Sequence, residues 1–317
     1  MNILLSRTDK IGDVLLTLPT AGVIKKHFPD STIYFLGRTY TEHLIERSSH
    51  IDHFLNWDEL KESGAFPNID WIIHVFPDKE IARLARNLKI KNRIGTSHRI
   101  FHWTTCNKLV HFTRKGSELH ESQLNLKLLA PLGIHEIPDL KKIHQFIGWK
   151  RGNTLFEKGL LTKKFNLILH TKSMGSAKEW NIENYKKVIE GLPEDQVQIY
   201  LTGTHKEGEL IRLECPGIFE FDHVTDVTGK FDLESFIGFI EKCDGLVACS
   251  TGPLHIASSA GIKCIGLYPS KRPMHAGRWC PIGGESTFIS EEEESDDPFL
   301  RIEAEKVVAM INKKMLN

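Results

Sequence analysis

Three short stretches of this 317-residue chain hold side chains whose types and spacing suit proton transfer or anion binding. The first is Thr8-Asp9-Lys10-Ile11-Gly12-Asp13-Val14-Leu15, which follows the buried apolar run Ile3-Leu4-Leu5 and opens a helix. It therefore sits at the carboxyl end of a strand, where open α/β sheets bind their ligands. Gly12 lets the backbone approach a ligand closely. Asp13 either faces that ligand or serves as a first-turn acid favoured by the helix dipole. The second stretch is Cys249-Ser250-Thr251-Gly252-Pro253-Leu254-His255-Ile256-Ala257. Here a strand ends, a small-residue loop turns, and a helix starts with Pro253 in its first turn. Free N–H groups at that helix start, with the Ser250 and Thr251 hydroxyls, make a cradle for a pyrophosphate. His255 lies about one turn in and is either a ligand contact or a structural histidine. The third stretch runs from His170 to Trp180 and includes Thr171, Ser173 and Lys178. Its lysines and hydroxyls suit phosphate oxygens, and the plainer reading is an ordinary polar loop.

The elements that must position these loops alternate between strand and helix. Ile3–Leu5, Thr32–Leu36, Ile51–Leu55, Trp71–Phe76 and Arg93–Gly95 read as strands. Helical spacing covers 12–28, 40–47, 79–89 and 118–132. The rhythm lapses over 134–165 and resumes with strands at Asn166–His170, Val197–Leu201, Ile218–Phe221, Leu246–Cys249 and Cys264–Leu267. Helices are expected at 182–191 (with Asn181 as cap), 206–214, 232–242, 252–260 and 299–315. This is the β-α-β-α order of parallel, doubly wound sheets, and the length suits two domains. The expected architecture is α/β, two Rossmann-like domains facing across a cleft, divided as 1–152 and 153–317.

Composition removes several classes. Hydrophobic residues make up 40% and charged residues 26%, which is ordinary for a globular protein and argues against disorder. No apolar run approaches the roughly 18–20 residues of a membrane span. The amino terminus is charged too early for a secretion signal, so a cytoplasmic location is expected, with recruitment to the inner face of the membrane left open. The six cysteines show no C-x-x-C pair and read as reduced core residues. A net charge of zero disfavours a nucleic-acid binder, but it hides an asymmetry. Residues 1–150 carry 21 Lys and Arg against 16 Asp and Glu; the remainder carries 20 against 25. Residues 79–99 alone hold seven basic side chains and one acid. That stretch is either a solvated helix face or a docking surface for an anionic acceptor, with Arg86, Lys89 and Arg93 as the contacts. A G-x-G-x-x-G fingerprint is absent, which disfavours a nicotinamide enzyme. Gly229-Lys230 lacks the spacing of a P-loop, and no D-x-D pair is present to hold a divalent cation on a sugar diphosphate.

Taken in order, Ile11-Gly12-Asp13-Val14 with Leu18-Pro19, Asn92-Arg93-Ile94-Gly95, Leu201-Thr202-Gly203, Val227-Thr228-Gly229-Lys230 and Ser250–Ala257 resemble glycosyltransferase family nine. The ADP-heptose:lipopolysaccharide heptosyltransferases are its best-known members. The resemblance runs over nearly the whole chain. It implies a GT-B fold and an inverting, metal-independent transfer without a cofactor. The donor would be a nucleotide sugar, ADP-heptose, and the acceptor an anionic glycolipid or oligosaccharide of the lipopolysaccharide core or a related envelope glycan. By the same resemblance Asp13 is the general base, with Gly12 beside it. Lys178 meets the donor phosphates, helped by Thr171, Ser173 and the Thr251-Gly252 backbone. Glu207 holds the ribose, Phe231 packs the adenine, and His255 and Ser250 lie near the sugar and its phosphate. Many members have Asp-Thr-Gly where this chain has Ser250-Thr251-Gly252, so the donor sugar is the part of the pattern that departs. Two other classes fit the same residues: a catalytically silent nucleotide-sugar-binding protein, and a related GT-B enzyme such as a nucleotide-sugar epimerase.

Overall fold

The structure, a computed structural model, describes residues 1–114, 116–152, 156 and 159–316. The expected division at 152 and 153 involves Asn153, which lies outside the described residues; the chain separates into two compact units, Met1–Lys150 and Arg151–Asn317.

In the first unit, β1 (Asn2–Ser6), β2 (Thr32–Gly37), β3 (His53–Asn56), β4 (Trp71–His74), β5 (Asn92–Thr96) and β6 (Lys108–Val110) form one sheet. Its order is β3-β2-β1-β4-β5-β6, and every pair in it is parallel. Strands covered on both faces need continuous apolar runs. Ile3, Leu4 and Leu5 meet that need and are wholly buried, with Leu5 paired to Phe35 on one side and Ile73 on the other.

The second unit contains β7 (Phe165–His170), β8 (Glu179–Trp180), β9 (Val197–Thr202), β10 (Val224–Asp226), β11 (Gly245–Cys249), β12 (Lys263–Tyr268), β13 (Ser286–Ser290) and β14 (Phe299–Leu300). Six of them make a parallel sheet in the order β10-β9-β7-β11-β12-β13, and β14 pairs with β8 apart from it. Leaving β8 aside, this repeats the first unit's order. Both are the doubly wound arrangement in which strand order reverses beside the first strand. The core of this unit joins Leu167, Leu169, Val247 and Ile265 of the sheet to Trp180, Tyr185 and Val307.

Several expected elements differ in detail. The helix expected over 12–28 is two, Ile11–Leu15 and Leu18–His27. Pro19 has no N–H to give to the Leu15 carbonyl, so the first helix stops and a second starts with proline in its first turn. Pro131 acts the same way on the segment 118–132, where a helix over Glu121–Leu126 tightens to a 3₁₀ turn over Lys127–Leu132. The strand expected at Ile218–Phe221 is a 3₁₀ helix, Pro216–Phe219, begun by Pro216; the strand is β10, where Val224 pairs with Ile199. Of the segment 299–315, Phe299 and Leu300 pair with Glu179 and Trp180, and the helix starts only at Ala304. The helix Trp57–Ser63 was not expected, although Asn56 caps it by accepting from the Asp58 N–H. Asn181 caps the helix Ile182–Glu190 as its type predicts.

Candidate active site

The chemistry-bearing loops fall at the reversal points of the two sheets. In the first unit β1 leads into the helix Ile11–Leu15, and the neighbouring strand β4 ends at His74, in register with Ser6. In the second unit β7 leads into 171–178 and its neighbour β11 leads into 250–252. A ligand laid over either reversal point meets helix starts and loop N–H groups together.

Arg7 organises the first site. Its guanidinium is buried and reaches three carboxylates: Asp9 at 2.7 Å, Asp13, and Glu121 at 3.5 Å. Arg114 meets Glu121 from the other side at 3.1 Å and Asn125 at 3.2 Å. Asn125 in turn donates to the Leu16 carbonyl, and the Thr17 hydroxyl donates to the Asp13 carbonyl at 2.9 Å. Asp13 is thus held by Arg7 at its carboxylate and by Thr17 at its backbone. Its side chain stays 18% exposed, enough for a substrate hydroxyl to reach. Burial, with the Asp13 charge nearby, pushes the Asp9 carboxyl up to about 6, although Arg7 opposes the shift. The Tyr40 hydroxyl donates to the Asp9 carbonyl.

In the second unit the chain leaves β7 through buried Thr171, Lys172 and Ser173. Met174 and Gly175 follow at φ +47° and +79°, and the Ser176 N–H donates to the Ser173 carbonyl at 3.0 Å, closing a tight turn. Glu179 accepts from both the Ser173 N–H (2.7 Å) and hydroxyl (2.9 Å), so Ser173 shapes this loop. The Lys178 ammonium meets Glu291, just past β13, at 2.9 Å and the Ser295 carbonyl at 3.2 Å. At β11 the Thr251 N–H turns back to the Cys249 carbonyl, and the helix Gly252–Ser259 begins with Pro253 in its first turn. The hydroxyls of Thr171 and Thr251 are buried, with no hydrogen-bond partner among the described residues. Buried polar atoms are seldom left so, and these two follow neighbouring strands, β7 and β11, at their carboxyl ends. His255 is buried in the first turns of that helix, and Ser250 and Gly252 are half-buried at its mouth.

The remaining predicted positions are more committed to the fold. Glu207 is buried and accepts from the Thr204 N–H at 2.6 Å, while Thr204 accepts from the Glu207 N–H at 3.2 Å. This reciprocal cap starts the helix His205–Glu214. Phe231 stacks on Phe239 with ring centres 4.8 Å apart, leaving it half-buried. His170, at the end of β7, meets the Thr202 hydroxyl at 3.0 Å, and burial holds its imidazole below the ordinary range. Of the acceptor-side candidates, Arg86 and Lys89 are exposed on and just beyond the helix Lys79–Asn87. Arg93 instead turns its guanidinium to nearby backbone, donating to the carbonyls of Thr105 (2.7 Å) and Ile90. Among the described residues no cluster of His, Cys, Asp and Glu could hold a metal ion. All six cysteines are buried. No described helix is long and apolar enough to cross a membrane.

Sequence reasoning missed Arg7, Asp9 and Glu121. Arg7 had a usable signal, a charged residue two positions beyond the buried apolar run Ile3-Leu4-Leu5. Glu121 had none, since it lies more than a hundred residues from the loop it supports.

Two doubly wound units, each with a helix start at its reversal point, are the frame of a GT-B glycosyltransferase. The structure is similar over 99% of its length to the crystal structure of a glycosyl transferase family 9 protein from Veillonella parvula, covering 97% of that chain (TM-score 0.79, 18% identity). It is also similar to E. coli heptosyltransferase WaaC with ADP-2-deoxy-2-fluoro heptose, covering 99% of each chain (TM-score 0.71, 16% identity). The lipopolysaccharide core heptosyltransferase OpsX of Haemophilus influenzae is 20% identical over 91% of this chain and 84% of its own. Residues 70–307 match glycosyltransferase family 9 (heptosyltransferase), and the chain belongs to that family. It is an enzyme of glycosyl transfer.

Proposed function

We propose that this enzyme moves a heptose from ADP-heptose to the lipopolysaccharide core or a related envelope acceptor, inverting the anomeric carbon without a metal ion. The observation that carries the reading is the β7/β11 edge of the second unit. Two buried hydroxyls there, Thr171 and Thr251, lack acceptors beside the start of the helix Gly252–Ser259. Diphosphate oxygens would supply those acceptors, and the helix start favours their charge.

In this reading the second unit binds the donor and the first presents Asp13 to the acceptor. Asp13 takes the proton of an acceptor hydroxyl, whose oxygen attacks the anomeric carbon. The bond from that carbon to the diphosphate oxygen breaks, and its electron pair leaves with ADP. The growing charge is met by the Thr171 and Thr251 hydroxyls, the N–H groups of the first helical turn and Lys178. An ammonium has three N–H donors, and Glu291 and Ser295 occupy two of those of Lys178. The third is the one offered to the diphosphate. Phe231, already stacked on Phe239, offers an aromatic face to the adenine. Glu207, fixed by its cap, offers a carboxylate oxygen to the ribose.

The test is transfer from ADP-heptose to heptose-deficient lipopolysaccharide, with the linkage read by NMR, beside calorimetric titration with ADP, UDP and GDP. A product of opposite anomeric configuration and a clear preference for ADP are expected. Tight ADP-heptose binding without transfer would make the protein a silent binder. Release of free or epimerised sugar without acceptor would make it an epimerase-like enzyme.

A further inference from the structure

Between β5 and β6 the chain Ser97–Thr105 holds two large apolar side chains out in solvent: Ile100 is 88% exposed and Trp103 is 65% exposed. Singly exposed apolar residues are normal, so exposure alone decides nothing. These two are three residues apart on one turn, since the Trp103 N–H donates to the Ile100 carbonyl at 3.1 Å. Residues so spaced share a face.

The turn that carries them is tied down by hydrogen bonds. The His102 N–H donates to the Arg99 carbonyl (2.9 Å), and the Trp103 indole N–H donates to the Ser97 carbonyl at 2.8 Å, fixing the ring. Below them His102 is completely buried, with Nδ1 at 2.9 Å from the Thr96 carbonyl and its ring edge-on to Phe101. A Cβ at position 95 would lie 2.6 Å from that imidazole, so Gly95 is what lets the anchor seat against β5. A buried foot thus holds an apolar pair outward, although neither Ile100 nor Trp103 serves the core.

The surroundings are basic. Residues 79–111 contain eight Lys and Arg and one acid, Glu80, and Glu80 already faces Lys61 at 3.4 Å. The helix Lys79–Asn87, with Lys79, Arg83 and Arg86 exposed, packs against the helix His102–Thr105. Arg99 sits in the apolar turn itself. An apolar wedge with an amphipathic indole, rimmed by cations, complements a surface that is apolar beneath and anionic above. An acidic protein would match the cations but would leave Ile100 and Trp103 without a partner of their own kind.

We propose that Ile100 and Trp103 insert into the headgroup boundary of an anionic lipid surface, with Arg83 and Arg99 meeting the lipid phosphates. None of these four residues is among the donor or acceptor contacts assigned above. Docking there would hold the enzyme against a membrane surface.

The experiment is co-sedimentation of the full chain with vesicles of phosphatidylethanolamine and phosphatidylglycerol, against phosphatidylcholine vesicles. Three proteins are compared, wild type, Ile100→Ser/Trp103→Ser and Arg83→Glu/Arg99→Glu, with circular dichroism to show that each is folded. Wild type should bind the anionic vesicles, and raised salt should weaken binding because exposed charges are screened. Either double variant should lower the partition coefficient at least tenfold. Equal binding by wild type and variants, or no binding by wild type, overturns the proposal. So does light scattering in which wild type is a dimer and the serine variant a monomer, which would make the patch a contact between two copies.

Discussion

A sugar hydroxyl is a poor nucleophile at neutral pH, so transfer needs a positioned acceptor for its proton. In the reaction proposed above, Asp13 is the carboxylate for that task. Its side chain is 18% exposed, in the first turn of the helix Ile11–Leu15, whereas Glu121 is buried and Asp9 lies on the loop before that helix, where it accepts from the Arg7 guanidinium. Asp13→Asn keeps shape and leaves Arg7 paired with Asp9 and Glu121, so no buried cation is stranded. The variant should lower kcat by about 10²–10⁴-fold, the usual contribution of general acid–base catalysis. ADP affinity by calorimetry and melting temperature should stay near wild type. Unchanged turnover would assign the proton to another group, and collapse of the fold would make Asp13 a structural cap.

At the scale of elements, β4 carries a titration that no catalytic role explains. His74 ends the strand, is completely buried, and has neither ring nitrogen hydrogen-bonded among the described residues. Burial, with His102 and Arg93 nearby, pushes its imidazole down to about 3. In the unfolded chain the ring takes its proton at the ordinary value, so between those limits the unfolded state binds more protons. Stability is therefore lost as pH falls from about 6.5 toward 3, by up to about 1.4 kcal/mol per pH unit. Asp9 works in the opposite sense. Its folded carboxyl is raised to about 6, so its contribution is complete at low pH and is lost as pH rises through that value. His74→Phe, which cannot titrate, should flatten the acid limb of a plot of urea midpoint against pH. An acid limb as steep as wild type would show that the buried imidazole does not govern it.

At the scale of the whole molecule, the same strand order built twice supplies two reversal points, one beside the Asp13 carboxylate and one where the buried Thr171 and Thr251 hydroxyls lie by the start of the helix Gly252–Ser259. Charge on a departing diphosphate needs a counter-charge, and a divalent cation commonly supplies it. Here Lys178, the Thr171 and Thr251 hydroxyls and a helix start are available in its place, and the sequence has no D-x-D pair. Turnover measured in excess EDTA should therefore equal turnover without it. Activity lost to EDTA and restored by magnesium or manganese would require a metal in the mechanism.

The alternation of elements and the position of each loop were legible in the chain because they depend on local physics. Apolar runs such as Ile3-Leu4-Leu5 declare buried parallel strands, and Gly252-Pro253 after Ser250-Thr251 declares a helix start. Asn181 named its helix for the same reason. Pro19 and Pro131 were equally visible as helix breakers, and the continuous helices drawn through them neglected that signal. Pairing between distant segments was another matter. Nothing local in Val224–Asp226 says that it edges β9, or in Phe299-Leu300 that it joins Glu179-Trp180. The sequence also determined which residue types were at hand, but not what each would meet. Only tertiary structure brought Glu121 to Arg7 and Glu291 to Lys178, since these contacts span more than a hundred residues. It also turned Arg93 to the carbonyls of Thr105 and Ile90, while Ile100 and Trp103 were left in solvent; the Glu207 cap, by contrast, was legible as Thr204 three residues before Glu207. Burial and long-range charge pairing are properties of the packed chain, and no window of sequence contains them.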